Sequence, residues 1–573
     1  MFSEIADNAM QLLQERYLLK NDQGIAVETL DQLFRRVAKC VASVENKDKD
    51  LWENLFFDQM ATLEFLPNSP TLMNAGLPNG QLSACFVLPV EDSLEGIFTT
   101  LKNAALVHQS GGGTGYNFSK LRPKNDTVSS SGGRSSGPIA FMKIYDAATE
   151  HVKQGGKRRG ANMGILNVDH PDIEHFVTSK LDGKSLHNFN ISVGISDNFI
   201  KAITKNENWA LINPRTGKTE RTIKAKKLWV SLVHAAWRTG DPGLIFLDTI
   251  NTHNPTPEQG HIQSTNPCGE VPLLDYESCN LGSLNLSKMV TLRANKTSID
   301  WEKLRLAVRA GIRFLDNVIQ CNHYQLQEIS DMALKNRKIG LGVMGWAELL
   351  LLLEIPYASN EAVQLGEKLM RFIKTCSYET SQNLANEKGC FPAWNNSIHY
   401  PNVPLRNATC NSIAPTGSIS IIANTSYSIE PFYALAFNRT GVLGNKIQMV
   451  LHPIISEKLI LLGHWNNDIK KKILEIGSIQ DIKSIPKPIK TLFETSLEIP
   501  WIYHLQHQRA FQKYTDNAVS KTINLPHSAT EKDISDIYIT AWEYGLKGIT
   551  IYRDGSKTDQ VLQKCGAMDN QSC

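Results

Sequence analysis

Residues 266–280 read NPCGEVPLLDYESCN. Asn266, Cys268 and Glu270 crowd an amide, a thiol and an acid into five positions, and Cys279 follows eleven positions after Cys268. A cysteine nucleophile needs a histidine base within reach. No histidine falls in this window, His261 being the nearest. The role that remains for such a thiol is hydrogen-atom transfer, because S–H and C–H bonds are similar in strength and a sulfur radical can take hydrogen from carbon. That chemistry calls for a dithiol reductant, and Cys279 with Cys85 of LSACFVL (residues 82–88) would supply one.

Around this stretch the texture is that of a large α/β assembly. Residues 1–65 read as amphipathic helices, with apolar positions every three or four residues in ETLDQLFRRVAKCVASV. From residue 66 to 555, short apolar or β-branched runs separated by Gly, Pro and Ser alternate with helical segments. SACFVLPV, GPIAFMKIY, GANMGILNV, NFNISVGIS and GITIYRDG read as strands. DSLEGIFTTLKNAALVHQ and WEKLRLAVRAGIRFLDNVI read as helices, residues 466–500 as a peripheral helical insertion, and residues 556–573 as a polar tail.

Bulk properties exclude several classes. The 573 residues are 42% hydrophobic and 20% charged, with a net charge of +3 and pI near 8.2, so no charge excess argues for a nucleic-acid partner. The N-terminus MFSEIADNAM lacks the apolar core of a secretion signal. The longest apolar run, AELLLLLEIP (347–356), is shorter than the roughly 20 residues a bilayer span needs and reads as a buried helix. No membrane role and a cytoplasmic location are therefore expected. Ten cysteines without a signal peptide and without CxxC spacing predict reduced thiols, with no metal site. Cys40, Cys321, Cys376, Cys390 and Cys410 read as small hydrophobes.

Glycine-rich stretches are ambiguous. GLGVMG (340–345) has the dinucleotide-loop spacing but lacks a preceding buried strand, so it reads as tight packing at a helix start. DGKS (182–185) fails as a phosphate loop because Thr178 stands where the first Gly is required. HQSGGGTGYNFSKL (108–121) and PTGSIS (415–420) offer unshielded backbone N–H groups suited to phosphate oxygens, or plain turns. SSSGGRSSGP (129–138) and KQGGKRRGANMG (153–164) carry Arg134, Lys153, Lys157, Arg158 and Arg159, and read either as solvated loops or as clamps on a nucleotide.

The chain resembles the catalytic subunits of ribonucleotide reductases. NSPTLMNAG, LSACFVLPVEDSLEGI, GGGTG, NPCGE, SCNLGSLNL, IGLGVMG, APTGSIS and YRDGS occur in the order of that family, from about residue 10 to 562. The resemblance implies an α/β fold: a ten-stranded barrel of two five-stranded parallel halves, antiparallel to each other, with a central finger loop carrying Cys268. It implies that Cys268 is the thiyl radical that abstracts the ribose 3′-hydrogen, with Glu270 the base on the 3′-hydroxyl and Asn266 its orienting partner. Cys85 and Cys279 are implied as the dithiol. Ser69, Ala84, Gly113, Pro415, Thr416, Gly417 and Ser418 are implied as substrate contacts. Asp92, Arg134, Lys157 and Arg158 are implied at an effector site for deoxynucleotides or ATP, which the family forms at a homodimer interface.

Three radical sources exist in the family. Where oxygen-dependent members place a tyrosine pair, this sequence has Tyr552 preceded by Ile551, and no glycyl-radical motif of the RVxGY kind is present. The resemblance therefore implies adenosylcobalamin as cofactor, the alternative being a large subunit that needs a separate radical-generating metal subunit. Thioredoxin or a similar dithiol is the implied reductant. The N-terminus begins in the region that follows the regulatory ATP-cone of other members, so control by that module is not expected. Cys565 and Cys573 either shuttle electrons, which we favour, or one of them is incidental. Whether diphosphates or triphosphates are reduced stays open, with diphosphates favoured.

Overall fold

The computed structural model describes residues 5–128, 132–154, 158–293, 296–439, 448–556 and 562–564. Its centre is a sheet of ten strands. In chain order these are β1 (Phe65–Pro67), β2 (Cys85–Val87), β3 (Gly113–Asn117), β4 (Asn162–Asn167), β5 (Phe189–Ile195), β6 (Gly243–Phe246), β7 (Ser278–Asn285), β8 (Ile339–Met344), β9 (Thr522–Leu525) and β10 (Gly548–Arg553).

Strands β2 to β6 run parallel to their neighbours, as do β7 with β8 and β9 with β10. The two sets meet antiparallel, β7 on β2 and β6 on β10. A further segment closes the ring between β8 and β9. Leu341 bridges Asn411 and Ile413 bridges Val519, both parallel. The backbone bonds Leu341 N–H to Cys410 O (2.8 Å) and Ser520 N–H to Ile413 O (2.9 Å) secure it. With residues 411–413 counted, each half has five parallel strands, and β1 lies outside them, antiparallel on β7. The barrel expected from the resemblance is therefore present.

The surrounding elements follow from periodicity. Helices α1 (Asp7–Arg16), α2 (Leu30–Ala42) and α3 (Lys49–Ala61) bury apolar faces against one core cluster. A capping box between Thr29 and Gln32 starts α2, satisfying two N–H groups that would otherwise lack partners. The same cluster takes in α7 (Trp301–Cys321) and α9 (Asn360–Lys388), after α4 (Leu94–Gln109), α5 (Pro138–His151) and α6 (Ala225–Thr239) have packed on the first half-barrel. Between them, α8 (Trp346–Leu352) is the buried helix expected of AELLLLLEIP. Helices α10 (Trp501–Gln512) and α11 (Glu531–Glu543) complete the second half. Residues 466–500 form helices Asn467–Ile476 and Lys487–Leu492 over a satellite core. Leu562–Lys564, inside the stretch read as a tail, pairs with Phe437–Arg439. No helix of the described residues is long and apolar enough to cross a membrane.

Two sequence readings are corrected. GPIAFMKIY is not a strand but the start of α5. Pro138 occupies its first turn, where a missing N–H costs nothing, and buried Ile139, Met142 and Tyr145 recur at helical spacing. GLGVMG does lead into a helix, Gly345 (φ 79°) capping α8, but its residues 340–344 lie in β8, the strand the sequence reading missed. A Cβ on Gly342 would lie 2.2 Å from the Ser412 carbonyl oxygen, so these glycines let the closing segment approach.

Candidate active site

After β6 the chain turns back into the barrel as a narrow hairpin, in which Ser264–Thr265 pair with Pro272–Leu273. Its tip is 266–271, the stretch NPCGEV. Gly269 N–H donates to Asn266 O at 3.0 Å, and the left-handed backbone of Gly269 (φ 80°) turns the chain there. Cys268 is exposed at the apex, whereas Asn266 and Glu270 are buried.

The barrel holds this finger by its backbone. Asn190 on β5 donates from Nδ2 to Pro267 O at 2.8 Å. Ser412 Oγ and Ala518 N–H both donate to Glu270 O, at 2.9 and 2.8 Å. Against β3 the fit is closer still. A Cβ on Gly115 would stand 1.7 Å from Thr265 O, and one on Gly113 would stand 2.9 Å from Pro267 Cγ. This changes the reading of GGGTG as a phosphate loop. Gly111, Gly112 and Gly113 donate their N–H groups to His108, Val107 and Ala84 carbonyls, so the glycines clear a slot for the finger instead. In PTGSIS, by contrast, no backbone acceptor is found for the Gly417 and Ser418 N–H groups among the described residues. Thr416 turns the chain at φ 57°, its hydroxyl accepting from Ser428 N–H at 2.8 Å.

Around the apex the expected groups converge. Asn266 Nδ2 donates to Cys85 Sγ at 3.1 Å, and Cys85 Sγ lies 3.9 Å from Glu270 Oε1. Asn266 Oδ1 accepts from Val271 N–H at 3.0 Å. Cys85 and Cys279 are register partners across the antiparallel β2/β7 pair. Directly opposed residues of such a pair have Cα atoms about 4.5–5.5 Å apart, inside the roughly 4.4–6.8 Å that a disulfide spans. Burial pushes the Cys279 thiol well above its ordinary pKa, with the Lys338 ammonium opposing the rise. Lys338 is itself buried and paired with Glu277 at 2.5 Å.

Two cavities meet at Cys268. One, about 260 Å³, is lined by Ser69, Ala84, Cys85, Gly113, Asn266, Cys268, Glu270 and residues 415–418, so it gathers every residue expected to touch substrate. Ser69 Oγ is hydrogen-bonded to Tyr17 OH of the following turn of α1 at 2.8 Å, tying the helical region to this wall. The sequence reading missed Asn68 and Ser283, buried members of the same wall. The second cavity, about 440 Å³, lies on the other side of Pro267 and Cys268 between β5, β6, β9 and β10. Tyr552 and Ile551 line it, and so does Tyr433, which no motif singled out. Burial raises the pKa of Tyr433 to about 12, with Asp554 adding to the rise.

Of the remaining expected residues, Asp92 and Arg134 lie outside both cavities. Asp92 accepts from Arg122 Nε at 2.9 Å and from Arg122 N–H at 3.0 Å, ahead of α4. Arg134 is exposed, its Nη1 donating to Asn125 O at 2.9 Å. Arg158 is in a two-residue strand paired with Gln154. Lys157, Cys565 and Cys573 fall outside the described residues. Of the cysteines read as hydrophobes, Cys376 and Cys410 are buried, and a hydrogen bond from Cys321 holds the Cys40 thiol down to about 7.

Residues 3–80 match the ribonucleotide reductase all-alpha domain, and residues 83–403 and 399–552 match the ribonucleotide reductase barrel domain. The chain belongs to the ribonucleotide reductase family. Among its reductase relatives, the vitamin B12-dependent ribonucleoside-diphosphate reductase of Thermoplasma acidophilum is 46% identical over an alignment that covers 97% of this chain and 80% of that protein. The enzyme of the same description from Mycobacterium tuberculosis is 46% identical over 559 residues, again 97% of this chain and 80% of its own length. The alpha subunit of an Actinobacillus ureae class Id ribonucleotide reductase shares the fold, with a TM-score of 0.80, 24% identity, and coverage of 97% of this chain and 98% of that one.

Proposed function

We propose that this reductase converts ribonucleoside diphosphates to 2′-deoxyribonucleoside diphosphates, with adenosylcobalamin as the radical source. The observation that carries the reading is the position of Cys268 as a common wall of two chambers. One side is furnished for a nucleotide and the other is free for a coenzyme.

The residues of the larger chamber fit an adenosyl group. Its volume of about 440 Å³ lies within the range of small-molecule sites. Gln508, almost wholly buried, lines it, and its Oε1 finds no protein donor among the described residues. A Cβ on Gly243 would meet Ile549 O at 2.9 Å and Ser192 Oγ at 3.2 Å, so glycine lets the strands close up at this wall of the chamber. Gln508, Ser192, Asn190 and Thr550 would hold the base and ribose. When bound, adenosylcobalamin supplies an organic radical by homolysis of its cobalt–carbon bond.

On the nucleotide side the chain's own groups do the work. Cys268, as a thiyl radical, takes the 3′-hydrogen of the ribose. Glu270 holds the proton of the 3′-hydroxyl, so the 2′-hydroxyl can depart as water from a 3′-radical. Cys85 and Cys279 then give up two hydrogens and become a disulfide, which a dithiol reduces by exchange. The Gly417 and Ser418 N–H groups receive phosphate oxygens. Cys268 then returns the abstracted hydrogen to C3′ of the product radical and is left as the thiyl radical again, closing the cycle.

The finer readings are part of the same proposal. Thioredoxin or a similar dithiol is the reductant, with Cys565 and Cys573 relaying electrons. Asp92, Arg134, Lys157 and Arg158 form an effector site. The exposed Leu94 and Phe98 of α4 and Ile144 of α5 suit a homodimer interface, since large apolar side chains clustered at one surface are costly in water. The test is an anaerobic incubation with adenosylcobalamin, a ribonucleoside diphosphate and dithiothreitol. Turnover without any second protein is expected. A sample inert until a metal-containing subunit is added would overturn the reading.

A further inference from the structure

A third cavity, of about 430 Å³, shares no lining residue with the two chambers at Cys268. It lies where β10 begins, between the middle of α9 and the C-terminal end of α10. Lys374, Arg509, Lys513 and Lys547 line it, against one carboxylate, Asp516.

That carboxylate is already committed. Asp516 Oδ1 receives Tyr378 OH at 2.9 Å and Lys374 Nζ at 3.2 Å, while Oδ2 receives the N–H groups of Cys410 and Asn411 at 2.8 and 3.2 Å. Lys513 is paired with Glu367 at 2.7 Å. Arg509 has no carboxylate within salt-bridge distance among the described residues and lies instead over the Tyr544 ring, 4.6 Å from its centroid. Lys547 is 4% exposed and, among the described residues, its Nζ hydrogen-bonds to the carbonyls of Asp516 and Asn517, at 2.5 and 2.6 Å. A buried ammonium facing carbonyls alone is costly. Burial lowers its pKa to about 7, Lys374 and Lys338 adding to the fall and Asp516 opposing it.

We propose that this cavity binds a small phosphate-class oxyanion. Arg509, with no carboxylate at salt-bridge distance among the described residues, and Lys547, whose Nζ meets backbone carbonyls, share one concave site of ligand size. A guanidinium offers the fork that fits phosphate oxygens, and the ammonium offers a point charge behind it. Thr409 and Thr515 line the same wall, but their hydroxyls already donate to the carbonyls of Ile339 and Phe511, so the two cations are what the site offers an anion. The segment that Lys547 holds leads directly to Ala518, whose N–H anchors Glu270.

Pyrophosphate is the probe, titrated calorimetrically into the full chain and into Arg509→Gln, with Lys374→Gln/Arg509→Gln as a second variant. Neither variant touches the residues around Cys268. Binding at the nucleotide sites is common to all three proteins and drops out of the comparison. We expect one binding event to weaken at least tenfold in Arg509→Gln. We also expect pyrophosphate to slow hydrogen exchange over residues 516–518 and 544–547 in the unsubstituted chain only. Identical isotherms in the three proteins, or exchange at these segments indifferent to pyrophosphate, would overturn the proposal.

Discussion

The side-chain amide of Asn266 donates to the sulfur of Cys85 while its carbonyl takes the N–H of Val271. One residue thus locks the finger hairpin and touches a thiol on β2. Replacing it with Ala strands a buried N–H, which costs about 1–3 kcal/mol. We expect Asn266→Ala to lower the melting temperature and to depress kcat more than nucleotide affinity. Calorimetry and steady-state kinetics separate the two effects.

Cys268 is exposed at a turn. Cys268→Ser should fold as well as the parent and bind nucleotide, yet form no deoxynucleotide. Product chromatography alongside thermal denaturation checks this. Measurable turnover by the variant would contradict the radical role.

Cys279 is buried on β7, its thiol 3.5 Å from Asn280 O. A serine hydroxyl can keep that contact, so Cys279→Ser should fold. It cannot close a disulfide with Cys85. We expect at most about one product per active site, because the cycle then lacks its second sulfur. Rapid-quench product counts, with and without dithiothreitol, give the answer.

Burial lowers the pKa of His108 to about 4 and that of His507 to about 3, and takes His504 well below the ordinary value. In the unfolded chain each binds a proton near pH 6.5, while the folded chain stays neutral. Their contribution is therefore complete above pH 6.5 and is lost as pH falls toward the folded values. Each histidine adds a slope of up to about 1.4 kcal/mol per pH unit. Urea midpoints should fall steadily from pH 7 to pH 5, and His507→Gln should flatten part of that fall.

Glycine substitutions should divide sharply. Gly115→Ala drives a methyl into the Thr265 carbonyl, and the finger must shift or the barrel open. Activity should drop by at least about a hundredfold, a displacement of the reacting thiol by 1 Å being enough for that. Gly417→Ala meets open space and should leave the melting temperature nearly unchanged. Parallel activity and melting measurements on the two variants decide it.

The chemistry was legible because it is local. NPCGE places Asn266, Cys268 and Glu270 on one hairpin tip, and SCNL places Cys279 opposite Cys85. The strands NFNISVGIS and GITIYRDG announce themselves by their apolar, β-branched content. GPIAFMKIY misled because both periods fit so short a run, and Pro138 favours a helix start only once the following residues are known to be buried. The glycines of GGGTG and GLGVMG misled for another reason. What they accommodate, Thr265 and Ser412, lies far away in sequence. Asn190, Ser412 and Ala518 were invisible because they act through backbone contacts to the finger. A polar Asn inside an apolar strand was the one available hint. Tyr433 and the basic cavity around Lys547 are assembled from distant segments with no common motif.

Because a single sulfur borders both chambers, it can be shielded from either direction. An alkylating reagent aimed at Cys268 meets a closed door when a nucleotide fills one room, and again when an adenosine derivative fills the other. Two separate guards, neither displacing its counterpart, would each slow inactivation of the same atom.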